Sequence, residues 1–133
     1  MANIVAYIVA LLVFLGADFV WLGTMARRLY KPTLGDILLA KASLPPTIVF
    51  YLAYPLGLVL FAINPALKAG SIGTAAILGG LFGLFTYGTY DLTNQATVRN
   101  WTTTLSMIDM AWGTVLGALT AAIAYAVTRR FIA

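Results

Sequence analysis

Long apolar segments in this sequence contain, or end on, three of its four acidic residues: Asp18, Asp91 and Asp109. An ionised carboxyl in a membrane-spanning segment is costly, so such residues are paired, protonated, hydrated or functional. Intramembrane carboxyls serve as proton carriers, as anionic sites for cations, or as general acids and bases. We therefore expect any binding or catalysis to centre on these three residues.

Two of the acids begin the same short motif, in which a tryptophan follows an aspartate by three residues. Asp18 precedes Trp21 in this way, and Asp109 precedes Trp112. The spacing places both side chains on one helix face, one turn apart. Because an indole offers one N–H donor and a large apolar surface, the pair suits a polar pocket with an aromatic wall.

A third group of polar residues surrounds Asp91. Tyr87, Asp91 and Asn94 share one helix face, and Tyr90 lies beside them. The sequence predicts one polar pocket lined by Asp18, Trp21, Tyr87, Tyr90, Asp91, Asn94, Arg99, Asp109 and Trp112.

A purely structural interpretation of these residues stays open. Buried aspartates in a small bundle can bond across helices to Trp, Tyr, Ser or Thr, or pair with Arg27, Arg28 or Arg99. The two tryptophans can equally be packing residues or members of an interfacial belt.

The composition excludes several classes of chemistry. The chain has no cysteine and no histidine, so thiolate nucleophiles, disulfides and histidine-based acid–base catalysis are ruled out. We expect no cofactor and no metal site. The net charge is +4, but the basic residues do not form a stripe interleaved with exposed aromatic residues, so we expect no nucleic-acid partner.

The proportions of apolar and charged residues predict that membrane-spanning helices position the acids. Of the 133 residues, 62% are apolar and 9% charged, and the mean hydropathy is +0.94. A soluble domain needs roughly a quarter of its residues charged, so the chain is expected to lie in a lipid bilayer. We predict an all-α integral membrane protein with one domain, residues 1–133. It comprises four transmembrane helices and a short interfacial helix after the first, at about 4–25, 33–44 (interfacial), 46–63, 71–90 and 102–127.

Local signals mark the ends and contacts of these helices. The stretch Thr33 to Asp36 resembles a capping box that opens the interfacial helix, and Asn64-Pro65 is expected to close the second span. Pro55 is expected to kink that span. Gly79 and Gly83 form a small-xxx-small face at which another helix can approach closely.

The basic residues weakly specify orientation. One side of the membrane would hold Arg27, Arg28, Lys31, Lys41 and Arg99, and the other Lys68, Arg129 and Arg130. The positive-inside rule makes the first side cytoplasmic, which places both termini in the periplasm and the three acids in the cytoplasmic half. So small a bias also permits dual insertion and an antiparallel homodimer.

Four strings together resemble a known family, the small bacterial membrane proteins catalogued as domain of unknown function 2177. The strings begin at Asp18 (DFVWLG), Phe50 (FYLAYPLG), Tyr87 (YGTYDLTNQAT, with Trp101 following) and Asp109 (DMAWG). The resemblance implies a bacterial inner-membrane protein with about four helices, and it implies no activity.

Three functions are compatible with these residues. The first is a binder or transporter of a small amphipathic or cationic solute, with Asp18 and Asp109 as proton-linked anionic sites. The second is a membrane-embedded enzyme acting on a lipid or isoprenoid, with one Asp as general acid or base and Tyr87 or Tyr90 as donor. The third is a non-catalytic partner subunit whose contact surface is the Gly79 and Gly83 face. The acidic, aromatic lining favours the first.

Overall fold

The protein folds as an antiparallel arrangement of four long helices. A computed structural model describes residues 1–132, which are almost entirely helical and contain no strand. Each helix is long and apolar enough to cross a bilayer, as the sequence predicts. The helices comprise Ala2–Ile37, Leu44–Ala69, Ile72–Thr97 and Thr103–Ile132.

The first helix is longer than predicted. It is α-helical over Ala2–Met25, widens into a π turn over Ala26–Tyr30, and continues through Lys31–Leu34 to a 3₁₀ turn at Gly35–Ile37. A separate interfacial helix over 33–44 is therefore wrong, since residues 38–43 lie outside helices. The expected capping box is not made, because Thr33 lies inside the helical stretch Lys31–Leu34 and no side chain caps the turn that follows. Asp36 instead accepts a hydrogen bond from Asn100 Nδ2 at 3.0 Å.

The second helix also extends past its expected end. A π turn at Val59–Ile63 leads into Asn64–Ala69, and Gly70 ends the helix with φ of +67°. Pro65 does not stop the helix, for the same reason that Pro32 does not stop the first. A proline ring clashes with the carbonyl four residues earlier. At both sites that carbonyl lies in the π turn, which is wider than an α turn.

The third helix reaches beyond the predicted end at residue 90. It begins after Ser71, whose hydroxyl accepts the N–H of Thr74 at 3.1 Å, and ends at Thr97. Asp91 and Asn94 consequently lie within the third helix, as does Tyr87. The fourth helix covers the predicted span and continues to Ile132.

Glycines bring the third and fourth helices into backbone contact. A Cβ added to Gly83 would overlap the carbonyl of Gly113, and one added to Gly79 would overlap Gly117 and Ala121. The small-xxx-small face is thus buried within the chain. It cannot be the surface that joins a partner subunit, and that part of the partner hypothesis is wrong.

The remaining core and surface fit a lipid environment. Phe14, Leu58 and Leu116 are fully buried, and Phe14 stacks on Tyr54 with ring centroids 4.7 Å apart. Large apolar side chains also cover the outside, and Phe19 is 81% exposed. So extensive an exposed apolar surface is typical of contact with lipid.

Substituting Gly83 by alanine should destabilise the bundle. The added methyl meets backbone atoms of Gly113 that cannot rotate away, so we expect a loss of about 1–3 kcal/mol in the free energy of unfolding. Gly16→Ala is the matched control, because a Cβ there meets nothing within 4 Å. Unfolding of both variants in detergent measures the difference, and equal stabilities would contradict this packing.

Candidate functional site

The three intramembrane acids lie at one end of the bundle. Successive helices alternate in direction, so the end of the first, the start of the second, the end of the third and the start of the fourth are together. Asp18 and Asp109 are each 6% exposed and Asp91 is 0% exposed. Carboxyls buried to this degree require hydrogen-bond partners or a change of protonation state.

Asp18 receives hydrogen bonds from two other helices. The hydroxyl of Tyr51, on the second helix, donates to Asp18 Oδ2, and Trp112 Nε1, on the fourth, donates to Oδ1 at 3.2 Å. Both donors are neutral. The contact stabilises the carboxyl and leaves its negative charge uncompensated by a cation.

Asp109 receives its hydrogen bond from the extension of the first helix. The hydroxyl of Tyr30 donates to Asp109 Oδ1 at 2.5 Å and accepts from Trp21 Nε1 at 3.0 Å. The tryptophan of each motif therefore stabilises the aspartate of the other motif by hydrogen bonding. Trp112 contacts Asp18 directly, whereas Trp21 acts on Asp109 through Tyr30.

The two indoles connect these halves into one network. Trp21 and Trp112 stack with centroids 4.5 Å apart and planes 3° from parallel. The sequence suggested that they form walls of an open pocket. Instead, each indole covers the other, so the space between the two motifs is filled by their rings.

Asp91 lies beside Asp109 but has no donor. Ser106 contacts the backbone of Asp91, and Asp109 follows Ser106 by one turn on the same helix face, so the two carboxyls are neighbours. Neither oxygen of the Asp91 carboxyl has a hydrogen-bond donor among residues 1–132. The nearby hydroxyl of Ser106 donates to the backbone carbonyl of Asp91 at 3.3 Å and accepts from Trp101 Nε1 at 3.0 Å. These contacts fix the backbone and leave the carboxyl unsatisfied.

The other predicted site residues lie around this network. Tyr87 packs its ring against Gly113. Tyr90 is 57% exposed and meets Trp101 edge-on. Asn94 is half-buried, and Arg99 is exposed in the connection that follows the third helix.

Two members of the network, Tyr30 and Tyr51, were not expected from the sequence. With the span ends that the sequence predicts, residues 25 and 46, Asp18 lies seven residues and Tyr51 five residues from the same side of the membrane. This similar depth is a usable signal for Tyr51. No comparable signal existed for Tyr30, because its position depends on the π turn that carries the first helix past Met25.

An apolar cleft reaches the network from the lipid side. It lies between the first two helices, has a volume of about 390 Å³, and is lined by Leu15, Phe19, Leu22, Gly23 and Tyr51. Tyr51 is also the donor to Asp18, so one of the side chains that line the cleft bonds a buried carboxyl. A larger groove of about 610 Å³ along Phe61, Phe82 and Phe85 has no acidic residue in its lining.

The chemistry available is that of neutral donors around carboxyls. Within residues 1–132, no group of three or more acidic side chains is arranged to hold a metal ion. The arrangement can bind a cation at Asp18 or hold protons on its carboxyls. Asp18 and Tyr51 together can also act as a general acid–base pair.

Four apolar helices around a buried network of acids, tyrosines and tryptophans define a polytopic helical membrane protein. The chain belongs to the family described as "Predicted membrane protein (DUF2177)", whose model matches residues 3–126, and this confirms the resemblance. No curated protein matches the chain. No solved structure matches it either.

Substituting Tyr51 by phenylalanine should destabilise the protein by leaving Asp18 Oδ2 without its donor. The expected loss in the free energy of unfolding is about 1–3 kcal/mol. Tyr90→Phe is the control, because that ring is largely exposed. Chemical unfolding in detergent, followed by tryptophan fluorescence, compares the two. A Tyr51→Phe protein as stable as Tyr90→Phe would contradict the role of this bond.

Proposed function

We propose that the protein binds a small amphipathic cation, with Asp18 as its anionic site, and moves it across the membrane. One observation carries the proposal: Tyr51, which lines a lipid-facing apolar cleft, bonds a buried carboxyl through its hydroxyl. Small-molecule sites are usually concave, mostly apolar and provided with few polar groups. The cleft has this composition and falls within the usual range of volumes.

Electrostatics supports a cation as the ligand. The hydrogen-bond partners of Asp18 among residues 1–132 are neutral, so an ionised Asp18 keeps its full attraction for positive charge. That attraction is stronger in an apolar bundle than in water, because the effective dielectric constant is lower. Apolar parts of the ligand would lie along Leu15, Phe19 and Leu22.

Tyr51 gives the cation a route to Asp18. Its side chain is half-buried and lines the cleft, so the phenol can turn away from Asp18 as a cation enters. Trp112 would keep its bond to Oδ1 and hold the carboxyl in place. Because these donors belong to different helices, occupancy at Asp18 would alter contacts between the second helix and the rest of the bundle.

The same cleft favours one alternative function. A lipid or isoprenoid entering from the bilayer would meet Asp18 and Tyr51 as an acid–base pair, so the donor would be Tyr51 in place of Tyr87 or Tyr90. The two functions differ in what Asp18→Asn changes: cation binding in the first, and the lipid composition of the cell in the second.

Binding of tetraphenylphosphonium, an amphipathic cation, tests the proposal. We expect saturable binding of the radiolabelled cation to purified protein in equilibrium dialysis, and a loss of affinity of about tenfold or more in Asp18→Asn, since 1.4 kcal/mol corresponds to tenfold. Asp36→Asn is the control, because Asp36 is exposed and bonded to Asn100. Equal affinity in wild type and Asp18→Asn would refute the site. An absence of binding, together with a lipid extract altered by Asp18→Asn, would favour the enzyme.

We further propose a bacterial inner membrane as the location, with both termini in the periplasm. The chain has no cysteine, so single cysteines can be labelled without background. Lys68→Cys should react with a membrane-impermeant maleimide in intact spheroplasts, and Lys41→Cys only after permeabilisation, because exposed Lys68 and Lys41 lie at opposite ends of the second helix. The reverse pattern would invert the topology. Similar labelling of both would indicate dual insertion.

A further inference from the structure

Asp91 has the least satisfied environment of the three intramembrane acids. It is 0% exposed, and both carboxyl oxygens lack a donor among residues 1–132. An ionised carboxyl left in this state would be far costlier than Asp18 or Asp109, which have donors. Its environment therefore favours a proton or another positively charged ligand at this carboxyl.

The groups around Asp91 define what that ligand can be. The fourth helix presents Asp109 and Ser106, and the hydroxyl of Ser106 already bonds the Asp91 backbone. The first helix presents Tyr30, which donates to Asp109. Tyr90, on Asp91's own helix, is a further titratable neighbour, and its side chain is largely exposed. Tyr87 and Asp18 lie close enough to Asp109 to feel its charge.

Two facing carboxyls can bond each other if one of them carries a proton. We propose that Asp91 and Asp109 hold one proton between them and so form a buried proton-binding site. One carboxyl donates its O–H to the other, which gives Asp91 the hydrogen bond that it otherwise lacks. The pair then carries one negative charge instead of two, and the hydroxyl of Tyr30 stabilises that charge on Asp109.

A proton fits this place better than a metal cation. Hard metal ions require several oxygen ligands, and no group of three acidic side chains within residues 1–132 is arranged to supply them. Asp18 accepts a hydrogen bond from Trp112, whose indole stacks on that of Trp21. Trp21 in turn donates to Tyr30, the residue that bonds Asp109. Asp18 is bonded by Tyr51 and Trp112, whereas Asp109 is bonded by Tyr30, so the proton site has its own carboxyls and its own donor and does not require a cation at Asp18.

Infrared spectroscopy of the full-length protein tests the inference. All four acidic residues are aspartates, so a side-chain carboxylic acid band belongs to one of them. In dodecyl maltoside, which has no carbonyl group, we expect wild type at neutral pH to show the C=O stretch of a protonated carboxyl. The band should shift with ¹³C-labelled aspartate and disappear as the pH rises, with the release of one proton per chain.

The variants assign the band. Asp91→Asn should abolish it, because Asp109 then accepts bonds from Tyr30 and the new amide and needs no proton. The double variant Asp91→Asn with Asp109→Asn, in which two amides can bond each other, keeps the test valid if the single variant fails to fold. Asp18→Asn and Asp36→Asn should retain the band.

Three results would overturn the inference. The first is the absence of the band in wild type at neutral pH. The second is its survival in the double variant, which would assign it to Asp18 or Asp36. The third is its loss on replacing potassium by sodium at constant pH, which would make the pair a sodium site. None of these results depends on tetraphenylphosphonium binding, so this inference and the proposed function fail separately.

Discussion

The cost of placing carboxyls inside an apolar bundle is the constraint that organises this protein. An acidic side chain in hydrocarbon must find donors, and here the donors come from other segments of the chain. Tyr51 of the second helix and Trp112 of the fourth bond Asp18, and Tyr30, the last residue of the π turn, bonds Asp109. Helices in lipid have little hydrophobic reason to associate. Polar bonds of this kind, together with the backbone contact at Gly83, determine which helices pack and at what height.

The two Asp-x-x-Trp motifs act reciprocally. Each tryptophan serves the acid of the opposite motif, and the stacked indoles lie between the two acids. The two acids are thus joined by a continuous series of contacts through two indole rings and a phenol. This connection gives a physical path between a ligand at Asp18 and the Asp91–Asp109 pair.

Much of this architecture could be predicted from the sequence. Apolar runs give four helices, and helix rise places Asp18 and Asp109 at similar depth. The spacing of the motifs places each tryptophan near an acid, but it cannot say which acid the indole bonds, since that depends on how two helices face each other. Helix ends were also missed. Pro32 and Pro65 indicate helix breaks by local rules, whereas π turns let both helices continue. The partner of Gly83 proved to be within the chain because the contact between the third and fourth helices is set by tertiary packing.

The π turn at Ala26–Tyr30 amounts to one extra residue inserted into a helix. Each residue of an α-helix rotates the chain by about 100°, so everything beyond the turn points in a different direction than an unbroken helix would give. The segment that ends at Met25 directs Asp18 and Trp21 inward, whereas the segment after the turn, Lys31–Leu34, directs Leu34 inward. The two parts of this continuous helix therefore direct their inward-facing side chains at different angles around the helix axis. The length of this turn is therefore as much a part of the polar network as the side chains that form its bonds.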